Sequence, residues 1–82
     1  MEIAKQDMEK EVTGIISLIS EIDVAKITGA VDLRDNLGID SMMGLEIMYA
    51  VEKKFNVHLR EEDLPKMRTV HSICGLVREK LT

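Results

Sequence analysis

Asp40 and Ser41 have the types and spacing to support chemistry. They lie in the run Asn36-Leu37-Gly38-Ile39-Asp40-Ser41-Met42-Met43-Gly44-Leu45-Glu46, where an irregular stretch gives way to helical spacing. A helix start presents backbone N–H groups without intrahelical partners and the positive end of the macrodipole, so a phosphate ester on the Ser41 hydroxyl is electrostatically favoured there. Asp40 also has a simpler role open to it. Aspartate is among the commonest N-caps, its carboxylate accepting an N–H two or three residues on. The two roles are compatible, and local spacing alone leaves both open.

Other reactive types are placed less suggestively. Cys74 falls on the apolar face of a helical pattern, where a free cysteine is ordinarily a small core residue. His58 and His71 have no partner at metal-ligand spacing, and His58 reads as a surface residue. The acidic triplet Glu61-Glu62-Asp63 points in different directions on any helical turn, so it reads as a solvated turn rather than a metal site.

The elements that must position Ser41 follow from periodicity. Met8, Val12, Ile15, Ile16, Ile19 and Ile22 mark one face of a first helix over 8–22, with Lys5, Glu9, Lys10 and Glu11 on its solvated side. Residues 24–40 lack sustained helical spacing but carry Val24, Ile27, Val31, Leu33, Leu37 and Ile39, which predicts a loop pinned to the core, with Leu33 and Leu37 as its anchors. A second helix over 41–55 has two apolar faces: Ile47, Met48, Val51 and Phe55 on the core side with Gly44 among them, and Met42, Leu45 and Tyr49 nearly opposite, beside Glu46 and Lys53. The second face predicts a docking surface, since charges are seldom buried unpaired. Residues 56–59 break that helix, residues 60–65 offer one short turn ended by Pro65, and Thr69 caps a last helix with Val70, Ile73, Cys74, Val77 and Leu81 inward. The expected architecture is an all-α four-helix bundle, with a long loop between helices one and two and a short third helix.

Composition narrows the function classes. At 82 residues, the chain has room for one domain, 1–82, and is too short for a deep enzymatic cleft. With no tryptophan and only Tyr49 and Phe55 as aromatics, the core must be built from Ile, Val, Leu and Met. The net charge of −4 argues against nucleic acid as partner and favours proteins with basic patches. A lone cysteine, no apolar run of membrane-spanning length and no signal-peptide core in the first five residues predict a soluble, cytoplasmic protein, expected to be a monomer without membrane insertion.

Read as a whole, the chain resembles the acyl carrier protein family of phosphopantetheine-binding domains. Leu37-Gly38-Ile39-Asp40-Ser41-Met42 matches the family's Leu-Gly-x-Asp-Ser-Leu core apart from Met42, and the similarity continues through Leu45-Glu46, Glu52-Lys53-Lys54-Phe55-Asn56-Val57, Leu59 with Glu62-Asp63-Leu64, and Thr69-Val70. The resemblance implies a non-enzymatic carrier whose Ser41 holds a 4′-phosphopantetheine, attached from coenzyme A by a phosphopantetheinyl transferase with magnesium, and whose cargo is an acyl thioester. It implies that Asp40 helps position magnesium or a basic residue of the transferase. It further implies that Met42, Met43, Leu45, Glu46 and Tyr49 meet acyl-loading and acyl-processing enzymes, and that Ile47, Val51, Leu59, Leu64 and Met67 line an acyl pocket. Leu64 stands where many fatty-acid carriers have a smaller residue, so the space is expected to be short. Glu46 and Glu52 against Lys53 and Lys54 leave the second helix with no net charge, unlike the acid-rich helix of such carriers. The resemblance implies fatty-acid, polyketide or specialised lipid synthesis, and the charge pattern points to a dedicated carrier for a specialised pathway, such as polyketide or unusual-lipid synthesis, rather than the general one. An aminoacyl carrier of D-alanyl or peptidyl type, and an unmodified interaction module of the same fold, are the alternatives.

Overall fold

A computed structural model describes residues 5–81. Residues 1–4 of the segment read for a signal peptide, and the side chain of Lys5, lie outside the described residues. Among the described residues three α-helices form: α1 (Lys5–Ser20), α2 (Ser41–Phe55) and α3 (Val70–Leu81), with 3-10 helices at Val24–Lys26 and Glu61–Lys66. The Glu61–Lys66 segment is the expected short third helix, and among the described residues there is no strand. α1 packs against both α2 and α3, burying Met8, Val12, Ile16, Ile47, Met48, Val51, Ile73 and Val77 in one aliphatic core.

The first helix stops before Ile22. Glu21 adopts a left-handed φ of 63°, and the Ser20 hydroxyl donates to the Ile16 carbonyl at 2.6 Å while that of Ser17 donates to Ile22 at 2.6 Å. These local bonds compete with the next helical turn. Glu9, expected on the solvated side, is half-buried with its carboxylate 3.3 Å from His71 Nε2.

The long loop is pinned, though by a different set of anchors. Leu33 is buried as expected, together with Ile27 and Ile39, whereas Leu37 is only half-buried. The reason lies at Gly38. Its N–H donates to the Arg34 carbonyl at 3.1 Å and its φ is 70°, so the chain reverses there and turns Ile39 inward in place of Leu37. The loop is also clamped to the start of α3. Leu33 N–H donates to the Arg68 carbonyl at 2.8 Å, and the Arg68 guanidinium reaches Asp32 at 2.6 Å and Asp35 at 3.1 Å. The Asp35 N–H and then Arg68 hold the Asp32 carboxyl below the usual carboxylate range, and Asp32 in turn raises Arg68.

The acidic turn is not wholly solvated. Pro65 lies inside the 3-10 helix rather than ending it, and Asp63 is only 5% exposed. Its side chain folds back to accept the Arg60 N–H at 3.0 Å, with Lys80 at 3.7 Å and Lys66 at 3.8 Å on its two oxygens. The Arg60 N–H is the main cause that holds this carboxyl low; burial opposes it, and Lys80 and Lys66 reinforce it. A carboxyl whose pKa is lower in the folded than in the unfolded chain contributes stability above about pH 4, and that contribution is lost as pH falls through the folded value. Unfolding temperature is therefore expected to drop below about pH 4, and less steeply in Asp63→Asn. Identical acid slopes for the two proteins would remove Asp63 from this account.

α3 begins with a reciprocal cap: Thr69 Oγ1 accepts the Ser72 N–H at 3.0 Å, and Ser72 Oγ accepts the Thr69 N–H at 2.9 Å. Val70, Ile73, Cys74 and Val77 are buried, and so is Leu76. Leu81, placed on the same stripe by its spacing, is 42% exposed, because the last turn of α3 runs past the core.

Candidate functional site

The site forms where the loop enters α2. Asp40 has extended backbone geometry, its Oδ1 accepts the Met43 N–H at 2.9 Å, and its carbonyl accepts the Gly44 N–H at 2.9 Å. The capping role is therefore filled, while Oδ2 meets no donor among the described residues. Ser41, the first residue of α2, is exposed, and Arg34 Nη2 lies 3.5 Å from its Oγ. A guanidinium cannot accept a proton, so Arg34, the one hydrogen-bond partner of the Ser41 hydroxyl among the described residues, is not a general base of the kind a serine nucleophile needs. Among the described residues no cluster of His, Cys, Asp or Glu could hold a metal ion.

Beside Ser41 is a cavity of about 200 Å³. Its apolar wall comes from Leu33, Ile39, Ile47, Leu64, Met67 and Ile73, and its polar wall from Arg34, Asp40, Ser41 and Arg68. Gly44 opens the passage, since a Cβ there would meet Leu64 Cδ1 at 3.3 Å. Of the five expected pocket residues, Ile47, Leu64 and Met67 line this cavity. Val51 and Leu59 do not; both are buried in the core, which is filled before the cavity reaches them.

α2 shows its two faces. Ile47, Met48, Val51 and Phe55 are buried, whereas Met42 is 73% and Tyr49 55% exposed, with Glu46 and Lys53 also at the surface. Met43 and Leu45 are half-buried against the core, so the open apolar surface is narrower than helical spacing suggested. The helix ends at Asn56, left-handed with φ 54°, whose N–H donates to the Glu52 carbonyl. Arg34, Arg68, Leu33, Ile39 and Ile73 are site residues that sequence reasoning missed. Ile73 could have been found from its inward position, but nothing in the spacing marks the two arginines.

Residues 10–77 match the family described as "Phosphopantetheine attachment site". The chain belongs to the acyl carrier protein family. It is 32% identical over 74 residues to the acyl carrier protein of Buchnera aphidicola subsp. Schizaphis graminum, which covers 90% of this chain and 94% of that one. It is 33% identical over 78 residues to a non-reducing polyketide synthase of Emericella nidulans, covering 95% of this chain but spanning only 3% of that protein's length. The fold is similar to that of an acyl carrier protein from Enterococcus faecalis, with a TM-score of 0.77 at 23% identity over 95% of this chain and 99% of that chain. The family's prosthetic group is a covalently attached 4′-phosphopantetheine. The residues of this chain fit such a group: an exposed hydroxyl at a helix start, a guanidinium beside it, open space around Gly38 and an apolar cavity next to Ser41.

Proposed function

We propose that Ser41 is the attachment residue and that the chain carries acyl intermediates for partner enzymes that perform the chemistry on them. The observation that carries this reading is the exposed Ser41 hydroxyl at the start of α2, opening beside an apolar cavity. The arm supplies a thiol on which cargo is held as a thioester. Everything else is positioning by this chain. Asp40 caps α2 through Oδ1 and keeps Oδ2 available for magnesium or a basic group of the transferase, which activates the Ser41 hydroxyl. Met42, Glu46 and Tyr49, edged by Met43 and Leu45, form the face that docks partners. With no net charge along α2, docking relies on apolar burial, at about 25 cal/mol per Å², more than on long-range steering. That balance suits a dedicated carrier in polyketide or specialised lipid synthesis, and the similarity to a segment of a polyketide synthase points the same way.

The reading is tested by incubating the protein with a phosphopantetheinyl transferase, coenzyme A and magnesium, then mapping tryptic peptides by mass. One arm is expected on the peptide spanning residues 35–53, localised to Ser41. An unmodified chain after several transferases, or an arm on another residue, overturns it.

Cargo length is the next expectation. A cavity of about 150 Å³ holds one benzene, so one of about 200 Å³ takes roughly eight carbons or fewer. Leu64 closes one side of the space over Gly44. In a series of acyl thioesters, resistance to cleavage by hydroxylamine, which releases the acyl group as a hydroxamate, should stop rising at medium chain length, and Leu64→Ala should extend the rise by about two to three carbons, given roughly 0.8 kcal/mol for each CH₂ newly buried. The same plateau in both proteins would show that Leu64 does not set the limit.

A further inference from the structure

Arg34 stands apart from the other charged residues around the site. Asp32 and Asp35 flank it in sequence, yet both turn to Arg68, at 2.6 and 3.1 Å, and Asp32 Oδ1 accepts the N–H groups of Arg34 and Asp35 at 3.0 and 2.8 Å. The acids that would ordinarily neutralise Arg34 are thus occupied 36 and 33 residues away along the chain. Leu33, between Asp32 and Arg34, is held in the core and fixes the direction in which the Arg34 side chain leaves the loop. The guanidinium arrives 3.5 Å from Ser41 Oγ, and among the described residues it makes no ion pair. The next acid along the chain after Asp35 is Asp40, whose Oδ1 accepts the Met43 N–H.

We infer that Arg34 is a positioning residue for the prosthetic arm, pairing with the phosphodiester once Ser41 is modified. The inference rests on the attachment reading above. The phosphorus is bonded directly to Ser41 Oγ, so its two non-bridging oxygens fall within reach of a guanidinium already beside that atom. The far end of the arm and its cargo lie many bonds away, which makes the phosphodiester, and not a charged cargo, the anion matched to this distance. Guanidinium and phosphate form short, forked, charge-assisted hydrogen bonds, which a lysine at the same place reproduces only as a point charge. Arg34 also offsets the repulsion between the new anion and the Asp40 carboxylate. Because Arg34 lines both the cavity and the shallow depression formed with Gly38, Ile39 and Met42, the pairing holds the first segment of the arm against the cavity side of Ser41. The arm then starts from a restricted orientation instead of a free one.

The test compares apo and holo forms of wild type, Arg34→Gln and Arg34→Lys, using holo protein whose single added arm has been verified by mass and mapped to Ser41. Two signals are read: the arginine side-chain Nε–H cross-peaks, with that of Arg34 assigned by its loss in Arg34→Gln, and the phosphorus resonance of the phosphodiester. In wild type the Arg34 cross-peak is expected to shift between apo and holo while that of Arg68 stays in place. The phosphorus line is expected to broaden relative to Arg34→Gln, to return towards the Gln value at high salt as screening predicts, and to be intermediate in Arg34→Lys. A merely structural role for Arg34 would not move the phosphorus signal. An Arg34 cross-peak that is the same in apo and holo protein, or a phosphorus line that does not depend on residue 34, overturns the inference while leaving Ser41 as the attachment point. Failure to obtain any arm on Ser41 overturns both.

Discussion

Ser41→Ala is expected to take up no arm at all and to unfold at essentially the wild-type temperature. Both halves of the expectation come from how little Ser41 does for the fold. Its hydroxyl meets only Arg34 Nη2, at the long distance of 3.5 Å, and the side chain is exposed. The cap that the first turn of α2 requires comes from Asp40, whose carboxylate takes the Met43 N–H. Alanine at the first helical position has favourable propensity and leaves no buried group unpaired, so the stability change should stay within about 0.5 kcal/mol. Loading, by contrast, requires an oxygen at this position, and none remains. Intact mass after transferase treatment and a thermal melt of the same sample check the two halves together. An arm-sized mass gain in the variant would dismiss Ser41 as the attachment residue, and a fall of many degrees would show that the serine is structural after all. Asp40→Ala is the informative contrast: losing an N-cap costs about 1 kcal/mol, so that variant should be both less stable and slower to load.

A large loss of stability is expected from Ile73→Ala. Ile73 is fully buried, on the inward face of α3, and it also lines the cavity beside Ser41. Truncating a buried isoleucine to alanine costs about 2–5 kcal/mol, through lost transfer free energy plus the space left behind. One side of Ile73 already faces a cavity of about 200 Å³, so fewer neighbours are lost than in a filled core, which favours the lower half of that range, about 2–3.5 kcal/mol. For a domain of this length, each kcal/mol moves the unfolding temperature by about 4–8 °C, giving a loss on the order of 10–25 °C. Set against a total stability of about 4–12 kcal/mol, the variant should still fold but with little margin. The cavity supplies a second readout. Cargo that occupies the enlarged space stabilises the folded state, so part of the loss should return when the variant carries a medium acyl chain and not when it carries the bare arm. Leu81→Ala is the control from the same helical stripe. Half-exposed at the end of α3, Leu81 should cost well under half as much. Equal losses at the two positions would contradict the placement of the core.

These two substitutions separate what periodicity can say from what packing decides. The 3.6-residue spacing located α2 at Ser41–Phe55 and assigned Ile47, Met48, Val51 and Phe55 to the core, because an amphipathic helix carries its burial pattern in its own local repeat. The same spacing put Ile73 and Leu81 on one face of α3, and only the length of the neighbouring helices distinguishes the buried residue from the exposed one. Asp63 is a similar case. As part of Glu61-Glu62-Asp63 it reads as solvated, but its depth depends on Lys80, brought in from α3, and on a 3-10 turn that folds its carboxylate onto the Arg60 N–H.

At the functional site the division is sharper. Gly38, Asp40 and Ser41 were legible because a chain reversal, a cap and a helix start are set by residues within a few positions of one another, where backbone sterics and capping hydrogen bonds act. By itself the sequence thus singled out Ser41 as the proposed attachment residue, and determined the helix that presents it and the family to which the chain belongs. The tertiary structure decided the rest: which side chains bound the cavity, why Val51 and Leu59 stand outside it, and why Arg34 is left beside Ser41 without an acidic partner. The physical reason is contact range. The clamp of Asp32 and Asp35 on Arg68 closes across 36 and 33 residues, and no local repeat encodes a pairing made only when the loop is laid across the start of α3.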